Sequence, residues 1–168
     1  MKRVLGLCCA ALLLAGCMRK PETVAFSAAE AAFIKKPGTG VITGHAFRTR
    51  PLGQIVNAAG EVVYLVPQTG FARERFKNLF GEGYYVAHRF FPMEGERNAE
   101  YDAHVRETKT ESNGRFAFKD VAPGDYFVMT TVTWGKEEDW IREGGVVYDK
   151  VTLTGKETEP VHLVLSGK

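Results

Sequence analysis

The chain has 168 residues, of which 45% are hydrophobic and 25% charged, with 18 Gly and 7 Pro. This is ordinary globular composition, and it excludes a collagen, a coiled coil, a low-complexity chain and a multi-span membrane protein; the length suits one domain. Lys and Arg number 22 against 20 Asp and Glu, and no long basic block occurs, so nucleic acid is not an expected partner.

Lys2 and Arg3 form a positive start, and Val4 to Leu14 is an apolar run too short to span a bilayer. Leu14-Ala15-Gly16-Cys17 then resembles the bacterial lipobox. The resemblance implies a signal peptide at 1–16, cleavage before Cys17, and acyl chains on Cys17, whose burial holds a protein to a membrane. An ordinary secretory signal shares the first two features but not the cysteine. Cleavage leaves 152 residues with 20 basic against 20 acidic groups. It also removes Cys8 and Cys9, so the mature domain has no cysteine pair for a disulfide. Met18, rather than Asp, after the cysteine favours the outer membrane, and the expected location is the bacterial cell envelope.

Residues 17–25 read as a tether, and 26–168 as one domain. Phe26-Ser27-Ala28-Ala29-Glu30 has the spacing of a capping box with a hydrophobic staple, and Pro37-Gly38 stops the short helix that follows. From there the pattern is strands and turns: Val41–Phe47, Glu61–Pro67, Arg115–Lys119, Asp125–Trp134, Val146–Thr154 and Pro160–Leu165. Between them lies an insertion at about 68–109, in which Ala72, Phe76 and Leu79 predict a helix over Phe71–Phe80. The expected fold is mainly β, an antiparallel β-sandwich with two short helices. Two strands, Val62–Val66 and Asp125–Trp134, are apolar on both faces. Something must therefore cover the outside of one sheet, and the N-terminal helix and the insertion are the candidates.

The stretch Thr110–Val128 carries Gly114, Phe116, Phe118, Val121, Pro123, Gly124, Tyr126 and Val128. This spacing resembles the signature of carboxypeptidase regulatory-like domains, and Val41 to Ala46 is similar to their first strand. The resemblance implies a transthyretin-like, seven-stranded sandwich. Its physical sense is an Asn113-Gly114 hairpin, Pro123-Gly124 turning the chain with Gly in the left-handed region, and Tyr126 buried with its hydroxyl on a backbone partner. The peptidase of that family has no room in this chain. The His104-x-x-Glu107 spacing is taken as coincidence, and carboxypeptidase activity is not carried over.

No nucleophile elbow, P-loop or dinucleotide fingerprint occurs, so no catalytic residue, cofactor or enzyme activity is expected. Glu100, Asp102 and His104 at period two form the best metal candidate, weighed against a solvated strand face. Tyr84, Tyr85, Phe90, Phe91, Trp134 and Trp140 sit beside charged residues on two loops and form the candidate binding surface. The competing reading is that these rings cap the apolar outer sheet face. The first functional expectation is a lipid-anchored, non-enzymatic accessory module that docks another envelope protein. The alternative is a glycan- or peptidoglycan-binding module, marked by coplanar exposed rings, and a metal-dependent or hydrolytic enzyme ranks last.

Cys17→Ser is expected to abolish palmitate labelling and release the domain from membranes. Continued labelling of the substituted protein would remove the argument for a lipid anchor.

Overall fold

The computed structural model describes residues 22–91, 98–135 and 142–168. The strands are β1 (Gly40–Thr49), β2 (Ile55–Asn57), β3 (Val62–Pro67), β4 (Tyr85–Ala87), β5 (Arg106–Lys109), β6 (Arg115–Val121), β7 (Gly124–Trp134), β8 (Glu143–Leu153) and β9 (Val161–Leu165). They build two sheets. In one, β1 pairs with β2, β6 and β9; in the other the order is β4-β8-β7-β3-β5. Pairing is antiparallel except between β1 and β9, which run parallel. The helices are α1 (Ala28–Ala31, continued as a 3-10 turn over Ala32–Lys35), α2 (Gly70–Phe80) and α3 (Ala99–Asp102). Among the described residues, no helix is long and apolar enough to cross a membrane.

The predicted sandwich is present, and alternation along its strands explains it. Ile42 and Ala46 of β1, Phe116, Phe118 and Val121 of β6, and Leu163 and Leu165 of β9 face Val63, Leu65, Tyr126, Val128, Val132, Val147 and Leu153 of the opposite sheet. The other parity of β7 and β8 places Phe127, Val146 and Tyr148 on the outer face of the five-stranded sheet. There the insertion supplies the cover. Phe71, Phe76 and Phe80 of α2 and Tyr101 of α3 are all buried in this second core, with Phe26 packed against it. The Phe76 ring stacks on Phe127 at 4.1 Å between centroids. Each such ring contributes about 1.5–3 kcal/mol by leaving water, which is enough to hold α2 on the sheet.

Ser27 caps α1 as its spacing predicts, accepting from the Glu30 backbone N–H at 3.3 Å. Glu30 does not complete the box. Its carboxylate instead accepts from the Gly70 N–H, at the start of α2, at 2.9 Å. Glu74 of α2 in turn accepts from the backbone N–H groups of Thr23 and Val24. The N-terminal segment is thus tied to the helix of the insertion by reciprocal carboxylate bonds. Phe26 adds edge-on ring contacts with Phe71 and Tyr101.

Three expectations about the motif need correction or refinement. The Asn113-Gly114 turn is closed by bonds within residues 111–115, but it is no hairpin: β5 before it and β6 after it belong to different sheets, so it forms a corner between layers. Gly124 has the positive φ that the motif implies, but at 154° it lies towards the extended end of that range; glycine is needed because L side chains rarely adopt this φ and because a Cβ there would lie 2.3 Å from the Phe33 ring. The nine strands among the described residues also exceed by two the seven that the resemblance implies, because β4 and β5 lie inside the insertion.

Tyr126 behaves as the motif requires. It is fully buried, and its hydroxyl donates to the Ala122 carbonyl at 2.8 Å, a bond of the kind that pins strand corners in Greek-key sandwiches. Burial pushes its phenol up to about 12, against a smaller opposing effect of the Arg106 charge. Tyr126→Phe is expected to cost about 1–3 kcal/mol in urea unfolding, because the Ala122 carbonyl loses its buried donor. The raised value means the fold favours the neutral phenol. That stabilisation is complete below pH 10 and is lost as the pH rises towards about 12. The phenylalanine variant should therefore show a shallower alkaline loss than the parent across that window.

Candidate functional site

β1, β4, β7 and β8 bring one end of the sandwich together. β7 ends at Trp134 opposite Glu143, the first residue of β8, and β4 adds to the outer edge of β8 through Tyr85↔Val147 and Ala87↔Gly145. The approach of β7 depends on Gly144, whose φ is 89° and whose Cβ would lie 2.2 Å from the Val132 carbonyl, and that of β4 on Gly145, whose Cβ would lie 2.1 Å from the Val86 carbonyl. With glycine there, the Tyr85 hydroxyl donates to the Gly144 carbonyl at 2.9 Å. These strand ends enclose an open cleft of about 320 Å³ that includes Arg48, Tyr85, His88, Arg89, Trp134 and Arg142 in its walls.

The two rings in this cleft are each overlain by an arginine. The Arg48 guanidinium carbon sits 4.0 Å from the Tyr85 ring centroid, and that of Arg50 sits 5.5 Å from the Trp134 ring. Arg48 also donates through a terminal nitrogen to the Ser166 carbonyl at 2.7 Å, while its Nε is buried without a hydrogen-bond partner. The Trp134 Nε1–H donates to a Glu143 carboxylate oxygen at 2.8 Å. Glu143, the one carboxylate among the described residues that line the cleft, is thereby engaged. The described lining thus combines three arginines with aromatic rings and a largely apolar surface.

The aromatic residues singled out from the sequence separate into different environments. Tyr85 and Trp134 meet in the cleft. Tyr84 belongs to the outer core, stacked on Tyr148 at 5.2 Å, with the Lys168 ammonium 4.2 Å from its centroid. Phe91 packs against the same core. Phe90 stays 68% exposed on the 3-10 turn His88–Phe90, with Arg89 over its ring at 4.7 Å. Trp140 and Cys17 lie outside the described residues. Among the described residues, the rings are therefore divided between core, cleft and solvent and do not share one exposed platform. Arg48 was missed in the sequence because nothing at its own position marks it; it joins the site only where β1 passes the end of β4.

The metal stripe is not a strand face. Asn98 accepts from the Tyr101 N–H and caps α3, so Glu100 and Asp102 sit on a helical turn and point to solvent. His104 turns inward, with Nδ1 2.8 Å from the Glu100 carbonyl and its ring 5.5 Å from Phe26. Among the described residues, no group of three His, Cys, Asp or Glu could hold a metal ion. His162 points outward from the edge strand β9, bonded to the Thr43 hydroxyl at 3.1 Å.

No family model and no curated protein matches the chain. Among solved structures, the chain is similar to the crystal structure of "a putative carbohydrate binding protein" from Pseudomonas aeruginosa. The identity is 27%, the TM-score 0.67, and the match covers 84% of this chain and 97% of that one. The likeness thus extends well beyond the segment that carries the motif.

The division of the rings is open to a simple check. Phe90→Ser is expected to leave the melting temperature within the range of a neutral surface change, about 0.5 kcal/mol or less. Tyr84→Ala should lower stability by a few kcal/mol, because it removes a ring from the second core. Equal effects of the two substitutions in thermal denaturation would contradict this placement.

Proposed function

We propose that this chain is a non-catalytic carbohydrate-binding module held at a bacterial envelope membrane through lipid on Cys17. The observation that carries the reading is the likeness to the Pseudomonas protein, at 27% identity over 97% of that chain. It favours a glycan over the docking of another envelope protein, which the sequence alone had placed first. The motif from Gly114 to Val128 fits a regulatory-like domain separated from any peptidase.

The geometry is compatible with such a role. A volume of about 320 Å³ lies at the lower end of small-ligand sites, room for one or two sugar rings. The cleft also lies far from the tether. Phe33 packs on Tyr126 near the start of β7, and Trp134 ends the strand eight residues later, about 27 Å away at the rise of a β-strand. Glu22 lies five positions after Cys17, a reach of at most about 18 Å. A domain held so closely by its N-terminal end would present the cleft away from the bilayer. Confinement to a membrane surface raises the effective concentration of a weak site.

Binding of purified bacterial polysaccharides and peptidoglycan fragments, followed by calorimetry, tests this reading. Trp134→Ala, shown by its circular dichroism to remain folded, is expected to weaken binding by roughly tenfold or more, as for a buried aromatic anchor. A folded parent domain that retains no glycan, but crosslinks in cells to one envelope protein, would return the protein-docking reading to first place.

A further inference from the structure

Resting on the carbohydrate reading, we infer that the ligand is an acidic glycan, whose carboxylate or phosphate oxygens are held by the cleft's guanidinium groups. Arg48, Arg89 and Arg142 line the cleft, and none forms an ion pair with a described carboxylate. Among the described residues of the lining, Glu143 is the one carboxylate against these three positive charges, and it is already bonded to Trp134. The chain as a whole carries 22 basic and 20 acidic groups, so this local excess is a property of the site and not of the protein's net charge.

The ring geometry points the same way. A neutral sugar is gripped by bare aromatic faces. Here Arg48 lies over Tyr85 and Arg50 over Trp134, so the rings act as backing that fixes guanidinium planes. A guanidinium held flat on a ring loses little freedom when it forms paired hydrogen bonds to a planar carboxylate or a phosphate. The bond from Arg48 to the Ser166 carbonyl further restricts that side chain, and its buried Nε has no hydrogen-bond partner. His88, on the 3-10 turn beside Arg89, adds a further nitrogen donor to the same wall.

The test uses the soluble mature domain and five polymers: a polyuronate, the same polymer with its carboxylates methyl-esterified, a phosphorylated glycan, neutral dextran, and inorganic polyphosphate as a charge control. The expected result is binding of the polyuronate or the phosphorylated glycan, which also distinguishes the two sources of negative charge. For a polyuronate, esterification should weaken binding roughly tenfold or more. The double variant Arg89→Ala/Arg142→Ala should do the same to whichever acidic glycan binds, with an unchanged melting temperature. Raised salt should weaken binding in the parent more than in the double variant. Equal binding of neutral and acidic glycans, insensitive to the double variant, would overturn this inference while leaving the carbohydrate reading intact. Binding of polyphosphate as tight as that of the acidic glycans would overturn it too, because charge alone would then explain the affinity. Retention of none of the four glycans by a folded domain would remove the carbohydrate reading itself.

Discussion

The whole structure depends on one strand that is apolar on both sides. β7 runs from Gly124 to Trp134 and pairs with β8 along its full length and with β3 along half of it. Tyr126, Val128 and Val132 enter the sandwich, and Phe127 enters the outer core. An antiparallel sheet with one face in water would leave Phe127, Val146 and Tyr148 exposed. The protein therefore needs a third layer, and the insertion is arranged to supply it. α2 lays three phenylalanines on this face, α3 adds Tyr101, and the N-terminal segment closes the margin with Phe26.

That third layer has a consequence at the edge of the sheet. A chain that covers the outer face with α2 must return to the next strand, and it does so along the free edge of β8 as β4. This return brings Tyr85 beside Arg48 and places His88 and Arg89 next to the end of β7. The cleft is thus a product of the same insertion that solves the burial problem. The packing requirement of β7 decides where the insertion goes, and the insertion decides which charged groups converge.

The two ends of the sandwich have different physical characters. At the Tyr126 end, a buried hydroxyl bond and the close approach of Phe33 to Gly124 make a dry, tightly specified corner. At the Trp134 end, guanidinium groups lie over half-buried rings around an open cleft. The first end is closed by buried contacts, and the second holds partly exposed polar groups.

The strand pattern, the Ser27 cap, the helix of the insertion and the need for an outer cover were all legible in the sequence. Each rests on local periodicity or on turn chemistry within a few residues. The short elements were not: β2, β4 and β5 have three or four residues each and take their conformation from a partner strand. The stripe Glu100, Asp102 and His104 reads equally as a strand, and the Asn98 cap on the next four residues decided for a helix. The aromatic residues show the same limit. Composition placed Tyr84, Tyr85, Phe90 and Phe91 together, whereas packing sent Tyr84 and Phe91 to the core, Phe90 to solvent and Tyr85 to the cleft. Sequence alone determined that this chain is a β-sandwich with a covered sheet, because burial periodicity is written along each strand. Only the tertiary structure decided that Arg48 meets Tyr85 across 36 intervening positions, because that contact depends on strand register and on the path of the insertion.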